Sequence, residues 1–178
     1  KICTAYNKQH GTNFLSVMPT NLYGPGDNYE LQGSHVLPAM IRKFHEAKIN
    51  KTDKVELWGD GSPLREFLYS EDLADAVVYL MENCNASDLR TPTGDFVNVG
   101  SGIELTIKEL AETICEIVYE DCSNRKCTLS WDSSKPNGTP RKLCDITRLL
   151  NLGWKPKTNL KAGIKLAYQD FLSGNVKL

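Results

Sequence analysis

Two spacings of apolar residues run through the chain, one typical of β-strands and one typical of helices. Runs or two-residue alternations of apolar side chains predict short strands in several places. These places are residues 14–18, 55–58, 64–69, 96–99 and 127–131. Pro19 closes the first of them, and the GSG run at residues 100–102 closes the fourth.

Helical spacing separates these strands. After Ser34, which is predicted to cap a helix, apolar residues follow at i, i+3, i+4 and i+7 as Leu37, Met40, Ile41 and Phe44. Other helices are predicted up to Gly11, from a Ser70 cap to about residue 83, from the Thr106–Glu109 capping box, from Asp145 to Gly153, and from Asn159 onward. Strands that alternate with helices predict an α/β fold.

The strongest turn signal lies at residues 24–28 (GPGDN), between the first strand and the helix that starts near His35. A strand end, a Gly/Pro loop and a helix N-terminus in succession are usual surroundings for a ligand crevice in an open α/β sheet. We therefore expect a pocket beside residues 14–35. A second turn, residues 59–61 (GDG), is of the type that joins a hairpin.

Composition places the chain among ordinary globular proteins. Its 178 residues allow one domain or a part of a larger one, 40% of them are apolar, and 21 basic residues balance 22 acidic ones. The net charge of −1 gives no field that would attract nucleic acid. No run approaches the roughly 20 apolar residues of a membrane span, and no signal-peptide pattern is seen. We expect a cytoplasmic protein with no nucleic-acid partner and no membrane partner.

The cysteines carry no clear metal signal. All six are scattered, and the closest pair, Cys122 and Cys127, has a C-x4-C spacing without a second pair or a partner histidine. This is a poor zinc signature. We predict reduced thiols and no metal site.

Six sequence motifs follow one another along almost the whole chain. They are PTNLYGPGDN, SHVLPAMIRKFHEAK, ELWGDGSPLREFLYSEDLADA, VNVGSG, SKPNGTPRKLCD and LGWKPKT. This series resembles the GDP-L-fucose synthases, a family of extended short-chain dehydrogenases/reductases. The resemblance implies an NADP-dependent oxidoreductase and epimerase of nucleotide-sugar metabolism. The implied reaction is the 3,5-epimerisation of GDP-4-keto-6-deoxy-D-mannose and its reduction at C4 by NADPH, which gives GDP-L-fucose.

His35 matches the family's histidine that acts with a cysteine as acid and base in the epimerisation. The chemistry is compatible, because an imidazole exchanges protons near neutral pH and a helix N-terminus disfavours its charged form. Without the resemblance, a capping or packing role would be the better interpretation. The resemblance also places residues along the nicotinamide side of NADP(H), namely Pro19, Thr20, Asn21, Leu22 and His35.

Lys43, Trp58 and Arg65 match positions that hold the GDP-sugar, and Lys142 is a further candidate for a phosphate contact. Cations near a diphosphate, and an aromatic ring beside a base or sugar, make chemical sense. From the residues alone, Trp58 would be a core side chain and Arg65 a member of a surface ion pair. Asn137 departs from the family, which commonly has Asp there, so a charge is lost and a hydrogen-bonding group remains.

Two features that the resemblance requires are missing from the chain. It contains no strand–G-x-x-G-x-x-G–helix unit and no Tyr-x-x-x-Lys pair. We therefore expect the C-terminal part of such an enzyme, and we expect it to be inactive on its own. Residues 1–27 and 95–102 are predicted to complete an NADP-binding Rossmann domain, and residues 28–94 and 103–178 to form the substrate domain. A homodimer is expected of the full-length protein.

Two alternatives stay open. Another nucleotide-sugar epimerase, dehydratase or reductase of the same fold would share the YGP loop and the REFLYSEDL segment, but not SHVLP together with SKPNGTPRK. A non-catalytic GDP-sugar-binding module would keep the substrate residues without the chemistry, because most catalytic groups are expected outside this sequence.

Overall fold

The computed structural model describes residues 1–31, 33–52, 54–92, 94–122 and 127–174. The chain divides into two compact units. The first unit comprises Lys1–Leu22, Glu66–Ile103 and Leu143–Thr158, and the second comprises Tyr23–Arg65, Glu104–Lys142 and Asn159–Leu178. The assignment of either unit to cofactor or substrate stays a prediction.

Helices and strands alternate along the chain, which confirms the predicted α/β class. The helices are Ile2–His10 (α1), Val36–Ile49 (α2), Ser70–Asn83 (α3), Ile107–Val118 (α4), Thr147–Asn151 (α5) and Leu160–Leu172 (α6). The strands are Val17–Pro19 (β1), Asn21–Tyr23 (β2), Lys54–Trp58 (β3), Leu64–Tyr69 (β4), Arg90–Thr91 (β5), Gly94–Asp95 (β6), Val97–Val99 (β7), Glu104–Thr106 (β8), Thr128–Asp132 (β9) and Arg141–Lys142 (β10). Within the described ranges, no helix has the length and apolar character to cross a membrane.

The first unit is built around the parallel pair β1 and β7, in which Val17 lies opposite Val97 and Pro19 opposite Val99. Apolar residues of β4, α3, β7, α5 and the segments that follow α3 and α5 form its buried cluster. The cluster comprises Leu68, Ala76, Leu80, Cys84, Leu89, Val97, Val99, Leu149 and Trp154. Burial of this surface stabilises the unit by about 25 cal/mol per Å² removed from water.

The first predicted strand starts later than expected. β1 begins at Val17 rather than at residue 14, and the Phe14 side chain is 50% exposed. The Asn7 side chain accepts a hydrogen bond from the Phe14 amide and donates one to the Phe14 carbonyl, both at 2.9 Å. These bonds satisfy the Phe14 backbone outside any sheet, so its apolar side chain does not make it a strand residue.

Three helix boundaries that depend on short-range hydrogen bonds are confirmed. Gly11 ends α1 in the left-handed conformation with φ of 66°. Thr106 and Glu109 make both bonds of the capping box at the start of α4. Asn159 caps α6 by accepting a hydrogen bond from the Ala162 amide at 2.9 Å.

Three other predicted caps are wrong by one residue. The N-cap positions belong to His35, Tyr69 and Ile146 instead of Ser34, Ser70 and Asp145. The Ser34 amide donates to the Glu30 carbonyl at 3.0 Å, so Ser34 belongs to the preceding turn. The Asp145 carboxylate still accepts a hydrogen bond from the Thr147 amide at 2.9 Å, and it therefore serves the helix from one position further out.

The second unit contains the parallel pair β3 and β9, in register from Lys54 opposite Thr128 to Trp58 opposite Asp132. Burial alternates along β3, which turns Val55 inward and Trp58 outward. The apolar face predicted for the helix after His35 is buried on α2. The apolar faces of α4 and α6 are buried as well.

The predicted hairpin between β3 and β4 is wrong. β3 pairs with β9, whereas β4 pairs with β10, β2 and β8. The turn after β3 is fixed by β9 and the loop that follows it, because the Gly59 amide donates to the Asp132 carbonyl at 2.9 Å. Local turn chemistry gives no information on a partner strand so far along the chain.

Candidate ligand-binding site

Two neighbouring loops leave the ends of β3 and β9 in the second unit. We call them the paired loops and define them as residues 58–65 and 132–142. Backbone bonds join them at both ends, from Gly59 to Asp132 and from the Leu64 amide to the Pro140 carbonyl, each at 2.9 Å. In the middle, the Asn137 Oδ1 atom accepts a hydrogen bond from the Asp60 amide at 2.9 Å. The two loops therefore form one continuous surface.

The contacts of Asn137 explain why this chain tolerates Asn where the family pattern commonly has Asp. Its side-chain oxygen is the acceptor that holds the middle of the paired loops, and a carboxylate oxygen could accept the same bond. The contact is so close that a Cβ atom at Gly59 would collide with Asn137, and Gly59 also has a positive φ of 80°. The loop geometry thus requires a glycine and a hydrogen-bond acceptor, but no charge.

Each of the paired loops is stiffened by an aspartate in the same way. Asp60 accepts from the amide and hydroxyl of Ser62, and Asp132 accepts from the amide and hydroxyl of Ser134, at 2.6 to 3.1 Å. These hydrogen bonds favour the ionised carboxylates and lower the pKa of both. The two aspartates therefore hold the turns, and the charge of Asp132 also interacts with Lys135.

Trp58 is an exposed aromatic ring flanked by cations. Its side chain is 62% exposed, so the alternative interpretation as a core residue is wrong. The Nζ atoms of Lys43 and Lys135 lie 5.9 and 5.7 Å from the ring centroid, within the range of cation–π attraction. Lys43 also donates a hydrogen bond to the Glu56 carbonyl of β3 at 3.1 Å, which holds its ammonium group beside the strand that carries Trp58.

Arg65 and Lys142 lie opposite each other where β4 pairs with β10. The Arg65 guanidinium donates to the Leu64 carbonyl at 2.8 Å and reaches the backbone beside Gly138, where a Cβ atom would lie 3.5 Å from Nη2. The neighbouring Arg141 is held by the two Glu104 oxygens at 2.8 Å each.

The structure therefore brings the predicted substrate residues onto connected elements. Lys43 contacts Trp58, and Arg65 pairs with Lys142 at the far end of the same paired loops. A flat exposed ring with two ammonium groups beside it can bind a planar, anionic ligand such as a nucleoside diphosphate.

Lys135 is a residue of this site that the sequence interpretation missed. It lies in the basic loop, but no local spacing relates it to Trp58. The relation depends on the β3–β9 register, which places the two strand ends side by side. A correct prediction of that parallel pairing would have identified it.

His35 is placed at the N-cap of α2, with its backbone in an extended conformation. Its side chain makes no capping hydrogen bond and is exposed. Neither of the ordinary structural roles, capping through the side chain or packing in the core, is therefore observed. Along α2, eight residues separate His35 from Lys43, which is about 12 Å of helix axis.

Asp27 is the acidic group that interacts with His35. Burial disfavours its charge and raises the pKa of the Asp27 carboxyl, while a hydrogen bond from the Asn28 amide and the nearby His35 act in the opposite direction. The bond from Asn28 is 2.8 Å long. The imidazole and a half-buried carboxyl group are thus electrostatically linked.

Four of the five residues predicted to border the cofactor, Pro19 to Leu22, lie in the first unit, whereas His35 lies in the second. Pro19 ends β1 and is exposed, whereas Leu22 packs against the buried cluster. Thr20 is buried, and its amide donates to the Val99 carbonyl at 3.0 Å. The Asn21 side chain donates to the Glu66 carbonyl at 2.7 Å. The segment is held rigidly at the carboxyl end of a parallel strand, where open α/β sheets bind ligands.

Glu66 is a second residue that the sequence interpretation missed. It is fully buried, and its two carboxylate oxygens accept hydrogen bonds from the Gly102 amide at 2.7 Å and the Cys144 amide at 2.8 Å. A Cβ atom at Gly100 would collide with this carboxylate. In sequence it reads as an ordinary charge within a strand, and no local signal marks it as the anchor of three segments.

Replacing Glu66 by glutamine is expected to lower the free energy of unfolding by about 1.5 kcal/mol, because the new NH2 group faces a backbone donor that it cannot satisfy. Denaturant unfolding followed by circular dichroism measures the change. The matched control is Glu82→Gln, an exposed glutamate of α3, which should change stability by less than about 0.5 kcal/mol. Equal stability of the Glu66→Gln variant and the unmodified protein would contradict the anchoring role.

Among the described residues, no group of three or more potential ligands is arranged to hold a metal ion.

Comparison with known proteins connects these sites to one family. The model of the NAD dependent epimerase/dehydratase family matches residues 1–100. The probable GDP-L-fucose synthase 1 of Oryza sativa subsp. japonica is 53% identical over 172 residues, which are 97% of this chain and 49% of that protein. The chain spans about half the length of the curated relatives it matches, and it matches their C-terminal part.

Solved structures agree. A GDP-6-OMe-4-keto-L-xylo-heptose reductase from C. jejuni has a TM-score of 0.84 at 34% identity, over 98% of this chain and 58% of that one. An NADP-bound GDP-L-fucose synthetase from Naegleria fowleri has a TM-score of 0.77 at 30% identity, over 96% of this chain and 50% of that one. The predicted fold class, the C-terminal part of an extended short-chain dehydrogenase/reductase, is thereby confirmed.

Proposed function

Since this chain belongs to the NAD dependent epimerase/dehydratase family, we propose that it is the substrate-binding part of a GDP-L-fucose synthase. The reaction is the NADPH-dependent 3,5-epimerisation and 4-reduction of GDP-4-keto-6-deoxy-D-mannose to GDP-L-fucose. The observation that carries the proposal is the exposed Trp58 ring between two ammonium groups on the paired loops. The relatives described above are all named for GDP-sugars, which supports the same ligand.

The paired loops supply recognition of the nucleotide. Trp58 offers a flat face to the base or sugar, while Lys43 and Lys135 offer positive charge beside it. Arg65 and Lys142 are placed to neutralise the diphosphate, and the planar guanidinium of Arg65 suits two phosphate oxygens at once. The stiff turns around Asp60 and Asp132 fix this arrangement before the ligand arrives.

His35 supplies proton transfer. The protons on C3 and C5 of the sugar are acidic because both carbons adjoin the C4 ketone, so a positioned imidazole can remove and return them. Its side chain is exposed and free of a capping role, which leaves the ring available to a bound sugar. Asp27 lies near enough to interact electrostatically with His35, so a carboxyl group accompanies the imidazole at this end of α2.

NADP(H), when bound, supplies the hydride that reduces the C4 ketone. Pro19, Thr20, Asn21 and Leu22 fit its nicotinamide side in position and rigidity, since the exposed strand end at Pro19 is followed by a backbone fixed through the Glu66 carbonyl. The contribution of these residues is to present a rigid edge. The side chains of Thr20 and Asn21 hold that edge through their hydrogen bonds to the Glu66 carbonyl.

The remaining attributes belong to the same proposal for the full-length protein. It is a cytoplasmic homodimer that binds a GDP-sugar and has neither a nucleic-acid nor a membrane partner. The balanced charge of the chain supports the part of this proposal that concerns nucleic acid.

Assay of the full-length protein with NADPH and a panel of GDP-, UDP- and dTDP-linked 4-keto-6-deoxy sugars tests the proposal. We expect NADPH oxidation with the GDP-sugar, GDP-L-fucose as the product by NMR, and at least a tenfold preference for GDP over the other two nucleotides. A preference for UDP or dTDP would favour another enzyme of the same fold. Tight GDP-sugar binding without NADPH oxidation would favour a non-catalytic binding module.

A further inference from the structure

A second cavity lies in the second unit, between α4 and β9. Its volume is about 690 Å³, and its lining includes two cysteine thiols together with Lys108, Tyr119, Leu129 and Trp131. The cysteines are Cys115 on α4 and Cys127, which immediately precedes β9. None of the groups assigned above to substrate or cofactor lines this cavity.

The two thiols are neighbours in space. Both line the same cavity, and interaction with Cys127 is among the causes that raise the pKa of the Cys115 thiol. Both cysteines are free, and both are partly exposed. Two thiols that line one cavity, on a helix and just before a strand, are candidates for a disulfide.

We propose that Cys115 and Cys127 form a redox modification site, which closes to an intramolecular disulfide by exchange with a small disulfide such as glutathione disulfide. The cavity beside the two thiols gives the reagent room to enter. This inference is independent of the function proposed above.

The order of the exchange follows from the surroundings of the thiols. Burial is the main cause that raises the pKa of Cys115 to about 11, so this thiol is almost entirely protonated at neutral pH. Cys127 is therefore the attacking group. Its thiolate displaces one glutathione thiolate from glutathione disulfide and becomes a mixed disulfide.

Cys115 then completes the exchange. It loses its proton to solvent and attacks the Cys127 sulfur, which expels the second glutathione. Two protein thiols are oxidised to one disulfide while one glutathione disulfide is reduced to two glutathione molecules, so atoms and electrons balance without any other reactant.

The test treats the folded full-length protein with glutathione disulfide, alkylates the remaining thiols and maps the peptides by mass spectrometry without reduction. We expect a peptide that links Cys115 to Cys127 and the loss of alkylation at both. Persistence of both free thiols, under conditions in which another cysteine of the chain becomes glutathionylated, would overturn the proposal.

Single variants separate the two roles. Cys115→Ser should accumulate glutathione on Cys127, because the resolving thiol is gone, whereas Cys127→Ser should leave Cys115 unmodified. The matched control Cys3→Ser, on α1, should form the Cys115–Cys127 link as readily as the unmodified protein. A link between either cysteine and a different partner in all variants would refute the assignment of the pair.

Discussion

Replacing His35 by asparagine in the full-length protein is expected to slow proton exchange at C3 and C5 of the keto-sugar by about 10²- to 10⁴-fold, the usual contribution of a positioned acid or base. Asparagine has a similar size and polarity but cannot carry a proton between substrate and solvent. The measurement is incorporation of deuterium from D2O into GDP-4-keto-6-deoxy-D-mannose without NADPH, so that epimerisation is observed separately from reduction.

The control for this variant is His10→Asn, because His10 is an exposed histidine of α1 with no proposed role. It should exchange deuterium at the unmodified rate. GDP affinity of the His35→Asn variant should also be unchanged, since the nucleotide is held by the paired loops. Exchange at the normal rate in His35→Asn would show that another group performs the proton transfer, and a parallel loss of GDP binding would indicate a structural role instead.

Features whose partners lie within one or two helical turns could be predicted from sequence. Thr106 and Glu109 are three residues apart, and the capping box that they form was predictable because both bonds close within one turn. The Asn159 cap is of the same kind. The errors among the caps are single-residue displacements, and for Ser34 the cause is the bond that its amide makes in the preceding turn.

Features that depend on distant pairing could not be predicted. The GDG turn after β3 looked like a hairpin, yet its partner is the loop after β9, and only the parallel β3–β9 register places them together. The prediction that the first strand starts at Phe14 was wrong for a related reason. The Asn7 side chain of the preceding helix forms hydrogen bonds with the Phe14 backbone. The spacing of apolar residues and the chemistry of a turn each describe a single segment of the chain. The two outcomes above depend instead on contacts between two segments.

The residues of the candidate site also differ in whether the sequence could identify them. Trp58 and Arg65 were identified through the family resemblance, which the comparisons confirm, and not through physical pattern, which favoured a core tryptophan. Lys135 and Glu66 were not predicted, because the contacts that make them important form only in the folded chain. Lys135 needs the β3–β9 register to reach Trp58, and Glu66 needs the Gly102 and Cys144 amides to be anchored.

Replacing Trp58 by alanine is expected to weaken GDP binding about 30-fold, because stacking of a base on an aromatic side chain contributes about 2 kcal/mol. The side chain is 62% exposed, so its removal leaves no cavity in the core and should not change the free energy of unfolding appreciably. Isothermal titration calorimetry with GDP measures the affinity, and thermal unfolding without ligand verifies the stability.

A graded series distinguishes the ring from its charges. Trp58→Phe keeps a smaller aromatic face and should lie between the alanine variant and the unmodified protein. Lys135→Ala keeps the ring but removes one of the two ammonium groups beside it, so its loss of affinity should be smaller and should shrink as salt is added. Leu166→Ala, at an exposed apolar residue of α6, is the matched control and should bind GDP normally.

The outcome of this series decides what the paired loops do. If Trp58→Ala binds GDP as tightly as the unmodified protein, the exposed ring is not the nucleotide platform, and the argument from its two cations fails with it. If Trp58→Ala and Lys135→Ala both weaken binding but only the lysine effect depends on salt, the ring acts by stacking and the lysine by charge. That result would assign to Lys135 a role in ligand binding that no sequence motif had marked.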